Sequence, residues 1–426
     1  MQTDNINVIY SRLHISRQDW GIIALAFLVS RVMLYAIGYF GAMHYNVETD
    51  QIGQINLVDS LETDVWSVFC QFDCAWFKSI ADIGYDSYPH GLTTGHAANW
   101  AFFPLFPILG HYIGELFGMP SLYGFYVIAN VSSFAMLPLF YLCLRQLGQE
   151  LDVARFGVWM LAFSPYSVYF IAPYTEALFI TLTMVVFLFA YRHQWLWVAV
   201  AGLLMTATRN IGVMVVFSVG ILALQAYGWR ELLKFGDRGF RVILAIWFIP
   251  LVMFAYMFYM HYHVGDAFSF KNIQLAWGRI FGNPFGYWLE GFETGGRKIY
   301  LSIMIAVGWA LNIYLFKQKR YAEALFMFIC TFVPIMTSTN KPEWRRMEQP
   351  AANGHGNARS LAGFYSGLLD GSLLEAEMLE QLTREHSVGE DKTLRTQTRF
   401  GLGCMLDQPT VPNATFGLGP KAYGHP

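Results

Sequence analysis

Residues 20–43 read WGIIALAFLVSRVMLYAIGYFGAM, 24 residues of almost unbroken apolar character. A helix crossing a bilayer needs about 20 such residues, with a range of roughly 17 to 25. This run is therefore read as a membrane helix. Met1 to Gln18 before it is polar, so the segment is taken as an uncleaved first span rather than a signal peptide. Eight further apolar runs follow, at Pro120–Leu144, Phe156–Ala172, Ala177–Tyr191, Trp195–Thr208, Ile211–Tyr227, Val242–Tyr262, Ile299–Phe316 and Tyr321–Met336. Several are short, which membrane helices tolerate where they line a cavity. Phe102–Phe117 is also apolar but carries Pro104 and Pro107, and is read as a re-entrant or interfacial element. The expectation is an all-α polytopic membrane domain of about nine helices.

Composition agrees. Of the 426 residues 55% are hydrophobic and 14% charged, with 17% aromatic; ordinary soluble domains carry about 25% charged residues. The net charge of -2 gives no basic field for nucleic acid. The five cysteines, Cys70, Cys74, Cys143, Cys330 and Cys404, form no zinc-like pairs and are read as free thiols. Cys70 and Cys74 are spaced so that a bridge in an oxidising compartment stays open. No metal ligands are assigned.

Basic residues orient the chain. With the N-terminus inside, the inner segments carry Arg12 and Arg17, then Arg145 and Arg155, then Arg192, then Arg230, Lys234, Arg238 and Arg241, then Lys317, Lys319 and Arg320. The outer segment 44–100 holds Glu48, Asp50, Asp59, Glu62, Asp64, Asp73, Asp82 and Asp86 against Lys78 alone. The other outer segments are Pro173–Glu176, Arg209–Asn210 and His263–Lys298.

Four constellations fall on that outer face. Phe72-Asp-Cys-Ala-Trp-Phe-Lys-Ser-Ile-Ala-Asp-Ile-Gly-Tyr85 offers Asp73 as a base for a hydroxyl; the plain alternative is that Asp73 caps the helix that follows. Ala101-Phe-Phe-Pro-Leu-Phe-Pro107 offers a bent aromatic cradle for a lipid tail, or a packing element. Pro173-Tyr-Thr-Glu176 carries a carboxylate that a helix N-terminus also favours. Thr206-Ala-Thr-Arg-Asn210 puts Arg209 in an apolar stretch, where a guanidinium grips phosphate or snorkels to the interface.

Taken in order, FDCAWFKSIADIGY, AFFPLFP, SPYSVYFIAPYTEALF and TATRNIG resemble the PIG-V family of mannosyltransferases, the GPI mannosyltransferase 2-like members of the GT-C superfamily, over roughly residues 20–336. The resemblance implies inverting sugar transfer from a polyprenyl-phosphate donor on the non-cytoplasmic side, with Asp73 as the acid of the first outer loop. Trp76, Phe103, Pro104, Tyr174, Glu176 and Arg209 are the expected substrate-binding residues. Phe72 stands where the family is expected to have Trp. The family continues with further membrane helices after the last run, so the transferase is expected to be truncated. Membrane lipids and a polyprenyl-phosphate-linked sugar are the expected partners, and no other cofactor is implied. A bacterial inner (cytoplasmic) membrane with the site facing outward is the expected location. A transporter or flippase of lipid-linked sugars is the alternative, since broken helices and a membrane-depth arginine suit it too.

Character changes near Ser338, dividing 1–338 from 339–426. The tail is rich in Gly, Pro, Asn and charge, and is expected to be a small mixed α/β soluble fragment. Ala358–Leu369 and Leu373–His386 read as amphipathic helices and Phe400–Leu406 as a strand. EQPAANGHGNARSL at 348–361, RFGLG at 399–403 and GHP at 424–426 resemble the C-terminal part of beta-lactamase-related serine hydrolases, over about residues 343–426. Those enzymes need Ser-x-x-Lys and a Tyr base. Ser338-Thr-Asn-Lys341 matches by a short pattern, and Tyr-x-Asn does not occur. A serine hydrolase is the third functional alternative.

The orientation is testable. A cysteine at position 95, in a background lacking Cys70 and Cys74, is expected to react with an impermeant thiol reagent in intact cells. Labelling only after lysis would invert the topology.

Overall fold

The computed structural model describes residues 14–44, 69–70, 72–90, 97–234, 236–277, 279–294, 297–335, 337–338, 384–385, 387–390, 397–400, 405–406 and 423–424. The chain divides into two units, Met1–Trp344 and Arg345–Pro426.

The first unit is a helical bundle. Its main helices are α1 (Arg17–His44), α2 (Asp73–Ile83), α3 (Leu105–Phe117), α4 (Ser121–Gln146), α5 (Leu151–Ala162), α6 (Glu176–Tyr191), α7 (Trp195–Thr208), α8 (Val215–Leu232), α9 (Asp237–Phe248), α10 (Leu251–Val264), α11 (Pro284–Thr294), α12 (Arg297–Lys317) and α13 (Tyr321–Ile335). Among the described residues, five stretches are long and apolar enough to cross a membrane: Arg17–Phe40, Ser121–Gln146, Asn210–Leu232, Asp237–Val264 and Ile299–Lys317. At about 1.5 Å per residue, 20 residues span about 30 Å. Glu176–Tyr191, Trp195–Thr208 and Tyr321–Pro334 are apolar but shorter. Lipid-compatible side chains such as Leu28, Val32, Trp247 and Phe258 stand exposed on the long helices.

Two expectations about helix breaks change. The run Phe156–Ala172 is not one helix: α5 ends at Ala162, and a separate helical turn covers Ser167–Phe170. Pro165 lies between them, and its missing N–H and ring clash stop a helix there. The prolines of Phe102–Phe117, in contrast, do not prevent an ordinary helix. Pro104 is the N-cap of α3 and Pro107 its third residue. The N–H groups of a first turn have no intrahelical partner, so proline there costs no hydrogen bond. With 13 residues α3 remains too short to span.

α3 and α4 pack through glycine. A Cβ at Gly124 would lie 2.1 Å from the Gly110 carbonyl oxygen. Small residues that let backbones touch are the usual means of packing helices in lipid. Across the bundle α4 separates two polar regions. Ser121 Oγ donates to Asp82 (2.6 Å) at its start, and Tyr141 OH donates to Asp19 (3.0 Å) near its end. Those residues are about 30 Å apart along the helix axis. At the Tyr141 end Arg155 pairs with Asp19 (2.7 Å), while Ser16 caps α1 by accepting the Asp19 N–H (3.1 Å). α6 repeats the division: Glu176 opens it, and Tyr191 at its end accepts a hydrogen bond from Arg320 (2.9 Å).

Of the segment between α2 and α3, residues 84–90 and 97–104 are described, irregular apart from a helical turn at Asn99–Ala101, and side chains satisfy their backbone. The Asp86 N–H donates to Asn99 Oδ1 (3.0 Å), and the Asn99 N–H returns a bond to Asp86 Oδ2 (2.8 Å). Trp100 Nε1 donates to the Asp86 carbonyl (2.6 Å), and Tyr256 OH to the Trp100 carbonyl (2.8 Å). These bonds fix where α2 ends relative to α10. A two-residue ribbon, β1 (Ile280–Phe281) with β2 (Thr337–Ser338), pairs Ile280 with Ser338.

Within the second unit β3 (Ser387–Glu390), β4 (Gln397–Phe400), β5 (Met405–Leu406) and β6 (Tyr423–Gly424) form an antiparallel sheet in chain order. Phe400–Leu406 is therefore a hairpin, not one strand: Phe400 on β4 faces Met405 on β5. The helices expected at 358–369 and 373–386 lie outside the described residues, except Arg384 and Glu385, which are not helical.

Candidate functional site

The site begins at a turn. Phe72 precedes α2 with φ 47° and ψ -110°, a conformation that costs a non-glycine residue of order 1–3 kcal/mol. Asp73 is the first residue of the helix, so Phe72 and not Asp73 holds the cap position. The expectation of free thiols fails here. Cys70 and Cys74 form a disulfide with Cα atoms 5.1 Å apart, and both are buried. Spacing alone did not demand the bond; the turn at Phe72 folds the chain back far enough to allow it. Cys143 and Cys330 are free.

Opposite stands an ion pair. α7 ends at Thr208, Arg209 is extended, and a helical turn resumes over Asn210–Met214. The reversal needs glycine at 212, where a Cβ would meet the Met205 carbonyl oxygen at 2.5 Å. Arg209 Nη1 donates to Glu176 Oε1 (2.5 Å) at the start of α6 and to Thr175 Oγ1 (3.1 Å). Its Nε and Nη2 have no partner among the described residues. The Arg209 side chain is 40% exposed, enough to reach a ligand and enough to weaken the pair by solvent.

Asp73 belongs to this cluster electrostatically. It keeps exposed surface although much of the protein lies close around it. Loss of hydration raises its pKa, and the nearby Glu176 carboxylate adds to the rise; Arg209 and Arg279 pull it down without cancelling it. Tyr174 is raised too, first by burial and then by the negative charges of Asp73 and Glu176.

Asp73, Tyr174, Glu176 and Arg209 are thus brought within mutual electrostatic reach from three separate parts of the chain. Trp76, one turn along α2 from Asp73, stacks on Phe102 (6.0 Å between centroids) and meets the edge of Trp277 (5.7 Å). Phe103 goes elsewhere. It is 2% exposed and packs on Tyr256 (4.7 Å) and Phe270 (5.7 Å). Pro104 starts α3. Arg279 and Trp277 escaped the sequence reading, because they lie in the long segment after α10 and no spacing ties them to Asp73. A tryptophan followed two residues later by arginine was the one local hint. Among the described residues no three His, Cys, Asp or Glu side chains are grouped to hold a metal ion.

A helical bundle with apolar helices long enough to cross a membrane, and an electrostatic cluster of Asp73, Tyr174, Glu176 and Arg209, is what fold and geometry define. Comparison with known proteins adds one finding: the family model for beta-lactamase matches residues 324–426. The match supports the hydrolase-related reading of the tail and begins inside α13, earlier than the expected start near 343. No curated protein matches the chain. Ser338 lies on β2, in extended backbone rather than on a helix.

The raised carboxyl makes a stability prediction. A folded-state pKa above the unfolded one contributes stability that is fully present below the ordinary carboxylate value. That contribution is lost as pH rises through the folded-state pKa. Asp73→Asn removes the ionised form, so it is expected to raise the melting temperature in detergent at about pH 8 and to change it little near about pH 4. A difference that is the same at both values would put the Asp73 carboxyl in open water.

Proposed function

We propose that the chain is a membrane glycosyltransferase of GT-C type, mannosyltransferase-like. It would move a sugar from a polyprenyl-phosphate donor to an acceptor hydroxyl on the non-cytoplasmic face. The observation that carries this reading is Asp73, an accessible carboxyl with raised pKa, facing the Arg209–Glu176 pair. The ordered motifs shared with the PIG-V family supply the reaction class, and the nine-span topology belongs to the same reading. The Cys70–Cys74 disulfide supports the orientation, since such bonds persist in oxidising compartments.

In this reading Arg209 offers its Nε and Nη2 donors to a phosphate oxygen of the donor, held in place through Nη1 by Glu176 and Thr175. Phe102 and Trp277, backed by the buried Trp76, would offer apolar surface to the sugar or the first isoprene units. Asp73 takes the proton of the acceptor hydroxyl as its oxygen bonds to the anomeric carbon. The bond from that carbon to the phosphate oxygen breaks on the opposite face, so configuration inverts and polyprenyl phosphate leaves. A base whose pKa is raised towards working pH accepts a proton more readily in the transition state.

Asp73→Asn is expected to lower transfer from a labelled polyprenyl-phosphate mannose by about 10²–10⁴-fold while the protein still inserts. The amide keeps the shape but cannot take the proton. Release of sugar to an acceptor also separates transfer from translocation across the bilayer. Comparable turnover in the variant would return Asp73 to the role of a helix-starting residue.

A serine hydrolase is the second reading, favoured by the beta-lactamase match. Ser338 would be its nucleophile, and an unactivated serine is weak. The chain contains no Tyr-x-Asn, and Ser338 pairs with Ile280 in a ribbon. We expect no hydrolysis of a chromogenic ester or a beta-lactam. Hydrolysis that disappears in Ser338→Ala would overturn this and make the protein bifunctional.

A further inference from the structure

We propose that the Cys70–Cys74 disulfide is a positioning crosslink for Asp73, an inference that rests on the transferase reading for its kinetic consequence. The bond closes a five-residue loop whose middle residue is Phe72 and whose fourth is Asp73. Phe72 is 78% exposed and sits in a backbone conformation that no side-chain packing of its own rewards. Left alone, a phenylalanine relaxes out of the positive-φ region, and the first residue of the helix moves with it. Both sulfurs are buried, Cys74 completely, in the apolar cluster of Phe77, Phe106 and Phe125. The crosslink thereby ties the strained turn to the packed interior. The carboxyl lies within electrostatic reach of Arg209 at the end of α7, Glu176 on α6, Tyr174 before α6 and Arg279 after α10. A change of an ångström in a reacting group costs up to about a hundredfold in rate. The bond therefore acts on catalysis through Asp73 and touches no substrate itself.

The test uses the full chain in membranes, as wild type, as the Cys70→Ala/Cys74→Ala variant, and as wild type treated with excess dithiothreitol. In that treatment the protein S–S bond breaks, each cysteine gains a hydrogen, and the dithiol is oxidised to its cyclic disulfide. The extent is counted by alkylation and mass spectrometry. Two quantities are read: kcat and KM for a polyprenyl-phosphate mannose, and the pH midpoint at which a carbodiimide modifies Asp73, located by peptide mapping. Loss of the bond is expected to lower kcat by about ten- to a hundredfold with donor KM unchanged. It is also expected to move the Asp73 midpoint down towards an ordinary carboxyl, as the turn relaxes and water enters. An unchanged midpoint with the bond gone overturns the proposal, as does a kcat loss that merely follows the fraction of protein lost to aggregation. Should the wild type transfer no sugar, the transferase reading fails by itself, and the Asp73 midpoint still decides the crosslink. If the double variant does not insert, reduced wild type already in the membrane gives both readings.

Discussion

Lipid offers no hydrogen-bond partner, so a chain crossing it must close every backbone bond within its helices and gather irregular backbone at their ends. The polar chemistry of the first unit follows from that constraint. α7 stops at Thr208, Arg209 is extended, and the next turn folds back against Met205 through Gly212. The resulting gap is filled by the Arg209–Glu176 pair and by Thr175. A second irregular stretch, between α2 and α3, closes its bonds through the reciprocal Asp86–Asn99 contacts. Both irregular stretches lie at the Ser121 end of α4, away from the Asp19–Arg155 pair. Charge pairs gather at both ends of α4, and the strained turn at Phe72 with the raised Asp73 carboxyl is held at the Ser121 end.

That accumulation carries a cost. Asp73 would be better hydrated on an open surface, and Phe72 would be better relaxed. A disulfide and a buried aromatic cluster hold both in place. Residues kept in unfavourable states by their surroundings gather at working sites more often than elsewhere.

Long apolar helices were legible because a run such as Trp20–Met43 has few uses other than crossing a bilayer, but five of the nine expected spans are long enough among the described residues; Arg209 stood out because it lies between two apolar runs. What periodicity cannot supply is the consequence of a proline's place within a turn. Pro104 and Pro107 looked like breakers and sit harmlessly at the start of α3, whereas Pro165 does end a helix inside an apparently continuous run. Phe400–Leu406 looked like one strand, but Phe400 and Met405 face each other as antiparallel partners. The disulfide and the Coulomb contact of Asp73 with Arg279 were illegible for a different reason. Each depends on a turn or a long segment whose path no local pattern specifies.

Charge balance links the proposed steps. Two carboxylates, Asp73 and Glu176, stand with two guanidiniums, Arg209 and Arg279. With both acids ionised the group is neutral, and a phosphodiester donor adds one negative charge. The proposed transfer would move a proton onto Asp73 while the departing polyprenyl phosphate became a monoester able to carry a second charge. The proton on Asp73 offsets that charge at the moment it develops, because the protonated group carries a net positive charge towards the product. Product release would accordingly be favoured when Asp73 loses its proton to water, which restores the base and weakens the hold on the phosphate together. In the proposed cycle a carboxyl that remained fully ionised throughout would repel the product phosphate but make a poorer base, so a raised pKa would serve both halves.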